Sequence, residues 1–117
     1  MTLLFILNDA PYGSEKLYNA LRLAMKSQLE HSEAGVRVFL MADAVTAAIP
    51  AQTTPQGYYN IERMLKSVLG NHGQIKICGT CLEARGIDKL RLIDGAEIST
   101  MSQLAQWVVD SDKVLTF

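Results

Sequence analysis

Short, wholly apolar runs separated by stretches of helical periodicity constrain this chain more than any other feature. The first run, Leu3-Leu4-Phe5-Ile6-Leu7, ends at the turn-forming pair Asn8-Asp9. Five consecutive apolar residues without alternation describe a strand covered on both faces, as in a parallel sheet, rather than one half open to water. A second run follows Gly35, in Val36-Arg37-Val38-Phe39-Leu40-Met41, and a third is Ile75-Lys76-Ile77. The spacing predicts two further strands near residues 96–98 and 114–117.

The intervening segments repeat apolar residues every three or four positions. Leu17, Ala20, Leu21, Ala24, Gln28 and Leu29 define one helical stripe, with Ser14 placed to cap it and Glu15 near its positive end. Residues 43–49 predict a short helix stopped by Pro50, and residues 51–57 a surface loop. Ile61, Met64, Leu65, Val68 and Leu69 mark a second long helix within residues 58–69, closed by Gly70-Asn71. Residues 80–85 predict one or two helical turns, and residues 101–110 a last helix capped by Ser99-Thr100 that packs Leu104, Trp107 and Val108.

Strand and helix therefore alternate through the chain, which predicts an α/β domain with about five strands and right-handed crossovers placing helices on both sheet faces. A length of 117 residues suits one domain, 1–117, and the 49% hydrophobic content supports a real core. Eleven basic residues against twelve acidic ones leave a net charge of -1, which argues against broad attraction for nucleic acid or anionic lipid. The first apolar run is much too short to span a bilayer and lacks a basic leader. A cytoplasmic, reducing location is the expectation.

Chemistry concentrates at Cys78-Gly79-Thr80-Cys81, the only two cysteines of the chain, set at a strand-to-helix junction. Open α/β sheets present ligands and reactive groups at the C-terminal edges of their strands, where Cys78 is expected. A helix tip there would favour the thiolate, and Arg85 two turns later would add to that field. The pair can form a disulfide, share one reactive role, or simply pack as small hydrophobes. His31 and His72 lack finger-like spacing with the cysteines, so no metal site is expected. Neither a G-x-G-x-x-G nor a P-loop pattern is present, and no cofactor is expected. Asp9, Asp43 and Tyr12-Gly13-Ser14 follow strand ends and either rim the same crevice or cap helices. Tyr58, Tyr59 and Met64 either line a pocket or subunit contact or belong to the core.

Several segments together carry a family resemblance: Asn8-Asp9-Ala10-Pro11-Tyr12-Gly13-Ser14-Glu15, Phe39-Leu40-Met41-Ala42-Asp43-Ala44-Val45, residues 78–86, Leu92-Ile93-Asp94-Gly95, Ala105-Gln106-Trp107 and Asp112-Lys113-Val114-Leu115-Thr116-Phe117. Over nearly its whole length the chain resembles the DsrE/DsrF-like proteins, most of all the small YchN-type members. The resemblance implies a three-layer α/β/α sandwich around a mostly parallel five-stranded sheet, assembled as homotrimers or homohexamers with sites near subunit contacts. Sulfur-relay members carry sulfur as a cysteine persulfide, and the matching position is Cys78, followed by Arg85-Gly86. Cys81 is an additional thiol relative to that pattern.

The leading expectation is accordingly a sulfur-transfer or sulfur-carrier protein using a Cys78 persulfide, with Arg85 steadying the anion and Cys81 able to take part. Sulfur-donor and sulfur-acceptor proteins are the implied partners. A thiol-disulfide redox protein using Cys78 and Cys81, and a non-enzymatic oligomeric binding module, are the rival expectations.

Overall fold

In the computed structural model, which describes residues 1–54 and 59–117, five strands form one sheet in the order β4-β3-β2-β1-β5. The strands are β1 Thr2–Leu7, β2 Gly35–Leu40, β3 Gln74–Cys78, β4 Ala96–Ser99 and β5 Lys113–Thr116, and every neighbouring pair is parallel. The helices are α1 Lys16–Glu30, α2 Ile61–Gly70, α3 Gly79–Ala84 and α4 Met101–Asp110, with a 3-10 segment at Ala42–Ala48. The fold is the three-layer α/β architecture expected, with a sheet that is parallel throughout.

Strand order explains the layers. The steps β1 to β2 to β3 to β4 all move one way across the sheet, so right-handed crossovers put α1, α2 and α3 on one face. The return from β4 to β5 runs back across the whole sheet and puts α4 on the other.

Registered partners in parallel strands share a face. Phe5, Val38 and Ile75 stand in one row and Leu7, Leu40 and Ile77 in the next, all buried. Leu17, Ala20, Leu21 and Ala24 of α1 and Ile61, Leu65 and Val68 of α2 are buried with them in one continuous core. The opposite rows include Arg37, Phe39 and Lys76. There Trp107 of α4 meets Phe39 edge-on at 6.4 Å, with the Arg37 guanidinium 5.3 Å and the Lys76 ammonium 4.6 Å from its indole ring. Arg37 also pairs with Asp110, fixing the end of α4 to the sheet.

Three local expectations differ from the structure. The cap position of α1 is Glu15 rather than Ser14, whose hydroxyl donates to Asp9 at 2.8 Å and accepts the Lys16 N–H at 3.4 Å. Leu29, read as part of the α1 stripe, is 76% exposed, whereas its neighbour Gln28 reaches the end of α2, its Nε2 donating to the Val68 and Asn71 carbonyls at 3.0 and 3.2 Å. Val108 keeps 40% of its surface exposed, since α4 buries only Leu104 and Trp107. Residues 55–57 of the expected loop and Tyr58, at the expected start of the second long helix, lie outside the described residues.

Candidate functional site

The cysteine pair sits where the sheet's topology opens. The connection leaving β3 enters α3 on one face, whereas the connection leaving β4 enters α4 on the other. Adjacent parallel strands whose outgoing connections part in this way define the switch point at which open α/β sheets bind ligands. Cys78 ends β3 and is registered with Ser99, which ends β4. The pair therefore marks that point directly.

The four residues of the motif have separate structural tasks. Cys78 is the N-cap of α3, and its sulfur accepts the backbone N–H of Cys81 at 3.4 Å. Gly79 lets β4 come close, because a Cβ there would stand 3.1 Å from Cγ2 of Ile98 and 3.3 Å from the Ser99 carbonyl oxygen. Thr80 carries the chain into the first turn, and Cys81 follows one turn after Cys78, so the two side chains share a face. Both thiols are free and are not joined as a disulfide.

The two sulfurs have different surroundings. Cys78 retains 5% of its surface and belongs to the core cluster, whereas Cys81 is half-buried. Burial pushes the Cys78 thiol up from its ordinary value, with the neighbouring thiol adding in the same direction; the N–H groups of Cys81 and Thr80 pull it down less strongly. This corrects the expectation of a thiolate favoured by the helix tip. A two-turn helix has too few aligned peptides to outweigh desolvation of the anion.

Arg85 also differs from expectation. Its Nε and Nη2 donate to Oδ1 of Asp43 at 3.0 and 2.7 Å, and its Nη1 donates to the Cys81 carbonyl at 3.1 Å. The guanidinium thus clamps α3 to the 3-10 segment and does not point its charge at Cys78. Gly86, at φ 66°, then turns the chain away in a conformation that favours glycine.

One contributor was invisible to sequence reasoning. The backbone N–H of Ala42 donates to the Cys81 sulfur at 3.2 Å. Ala42 has φ 51°, a left-handed conformation costing a non-glycine residue of the order of 1–2 kcal/mol. An alanine side chain gives no chemical signal, and its backbone strain depends on where β2 ends.

Cys78, Cys81, Arg85 and Asp43 thus form one cluster, while Asp9 is elsewhere, engaged with Ser14 and 4.0 Å from Lys16. Tyr59 and Met64 line a separate open groove of about 1040 Å³ between α1 and α2, which no cysteine lines. Among the described residues no group of three or more His, Cys, Asp or Glu is placed to hold a metal ion, and no helix is long and apolar enough to cross a membrane.

A parallel α/β sandwich with a dithiol at its sheet switch point defines the class of protein. The DsrE/DsrF-like family profile matches residues 1–117, and the chain belongs to that family, which is associated with sulfur relay. It is 48% identical over 115 residues to the protein YchN of Escherichia coli K12, covering 98% of this chain and 97% of that one. It is 39% identical over 112 residues to protein MJ0989 of Methanocaldococcus jannaschii, covering 96% of each. The crystal structure of the E. coli ychN protein superposes with a TM-score of 0.95 at 47% identity, covering 100% of this chain and 99% of that chain. The protein MTH1491 of Methanobacterium thermoautotrophicum shares the fold at a TM-score of 0.73 and 12% identity, covering 99% and 98%.

Proposed function

We propose that this protein is a sulfur carrier in which the Cys78 thiol accepts sulfane sulfur from a donor protein and holds it as a persulfide for an acceptor. The observation that carries the reading is the place of Cys78, at the switch point of a parallel sheet in a chain of the DsrE/DsrF-like family. Low exposure suits a carrier, because a persulfide held away from bulk water is protected from stray thiols and oxidants. Arg85 acts through position: by tying α3 to Asp43 it holds Cys81 and the first turn against Cys78.

The carrier works as a homotrimer or homohexamer. Met101, Val108 and Val109 on α4 and Val114 on β5 are apolar and exposed, Val109 at 80%, a surface that self-association would cover. The reducing cytoplasm keeps both thiols free between rounds.

Incubation with a cysteine desulfurase and cysteine, followed by intact and peptide mass spectrometry, tests the reading. The expected product is a gain of about 32 Da, one sulfur atom, on Cys78, absent from Cys78→Ser. Persistent lack of the adduct on a folded chain would overturn it. The burial of Cys78 favours one rival, in which the cysteines only pack. That rival predicts that Cys78 resists both the desulfurase and a small alkylating reagent in the native protein.

A further inference from the structure

We propose that Cys81 discharges the Cys78 persulfide within the same chain, so that the site releases sulfur as hydrosulfide and is left with a Cys78–Cys81 disulfide. The inference rests on the carrier reading and assigns its outlet.

The geometry supplies an attacking thiol already in place. Cys81 follows Cys78 by one helical turn, donates its backbone N–H to the Cys78 sulfur at 3.4 Å and is the more open of the two. Residues one helical turn apart have Cβ atoms about 5–6 Å apart, so a small backbone adjustment brings them within the span of a disulfide. Cys81 also has a donor of its own, the Ala42 N–H at 3.2 Å, delivered by a residue held at φ 51°. The contact holds the Cys81 sulfur in one place, and a left-handed alanine is a conformation that the surrounding structure has to enforce. This contact lies outside what a carrier with a single cysteine requires.

The step balances without an outside reagent. The Cys81 thiolate attacks Sγ of the Cys78 persulfide; the Cys78–Cys81 S–S bond forms and the bond to the terminal sulfur breaks. The terminal sulfur leaves as HS⁻ with the bonding pair. The sulfane sulfur is reduced to sulfide, and the two cysteine sulfurs are oxidised to the disulfide. A dithiol reductant, small-molecule or protein, then returns the pair to the free thiols for another round. Attack at the inner sulfur is favoured because HS⁻ is a better leaving group than the Cys78 thiolate, which is destabilised by its burial.

Reduced wild-type chain, Cys81→Ser, Cys81→Ala and Cys78→Ser would each be loaded with inorganic polysulfide and desalted at about pH 5, where thiols exchange slowly. They would then be returned to about pH 8 and followed by intact mass and by free sulfide. Wild type is expected to release about one sulfide per chain and to end about 2 Da lighter than the dithiol. Both Cys81 variants are expected to keep the gain of about 32 Da on Cys78 and to release sulfide only when a dithiol is added. A wild-type persulfide as long-lived as that of the Cys81 variants, with no disulfide, overturns the inference and leaves the carrier reading standing. Failure of the wild-type chain and both Cys81 variants to load at Cys78 overturns the carrier reading and the inference with it. Alanine and serine in agreement exclude an effect of the introduced hydroxyl.

Discussion

The two faces of the sheet are built by different means. The face under α1 and α2 is hydrocarbon along β1, β2 and β3, with Phe5, Leu7, Val38, Leu40, Ile75 and Ile77 fully or almost fully buried. The face under α4 has one covering helix, and two of its strand residues are cations. Arg37 and Lys76 remain there because their charges lie over the Trp107 indole and reach Asp110 and Gln103 at the rim. The first face is sealed by area, the second by aromatic and ionic contacts that hold one helix in one orientation. That economy leaves Val108 and Val109 of α4 in solvent.

Leu40→Ala tests the sealed face and carries the largest expected effect. A buried leucine of this kind loses about 2–5 kcal/mol on truncation, measured by urea unfolding. A loss of less than about 1 kcal/mol would mean that the core relaxes around the gap, and that area does not hold this face. Trp107→Leu tests the other face by keeping an apolar group while removing the ring. We expect a loss of about 1–3 kcal/mol, from the cation-ring contacts and the missing volume. If Arg37→Met then costs as much in the Trp107→Leu chain as in wild type, the cation and the ring are not coupled.

Asp110 sharpens the contrast through pH. Its hydrogen bond to Arg37, with a smaller contribution from Gln106, holds the carboxyl below its ordinary value of 3.8. A depressed carboxylate contributes stability that is present above pH 3.8 and is lost as the pH falls through the folded value. Asp110→Asn is therefore expected to flatten the loss of stability below pH 3.8, seen in urea midpoints across an acid series. An unchanged slope would remove the ion pair from the account of how α4 is held. Val109→Lys has the smallest expected effect on folding, within about 0.5 kcal/mol, since its side chain is mostly in solvent. Its expected effect is on assembly, as a shift to smaller species in sedimentation. An unchanged size distribution would overturn α4 as the proposed self-association surface.

Legibility in the sequence followed the range of the forces involved. All five strands and four helices were readable because period-2, period-3.6 and continuous apolar runs are local consequences of which face is buried. The Thr100 cap was also local, with its hydroxyl accepting the Gln103 N–H at 3.2 Å. Ser14 missed the cap position by one residue, because α1 begins at Lys16; its hydroxyl still accepts the Lys16 N–H at 3.4 Å while donating to Asp9. Arg85 escaped local reasoning because Asp43, 42 positions away, takes the charge that was expected to face Cys78. The candidate residues Cys78, Cys81 and Arg85 were all legible as types, but neither the direction of the Cys78 shift nor the Ala42 donor was.

Strand alternation, the family and the position of a dithiol after β3 belong to the linear order of residues, because apolar periodicity and the C-x-x-C spacing are written in neighbouring positions. Which sulfur is buried, which carries a backbone donor and which cation faces what were decided by folding. Those properties arise from groups brought together across dozens of residues, and desolvation acts only once a neighbouring element has displaced the water.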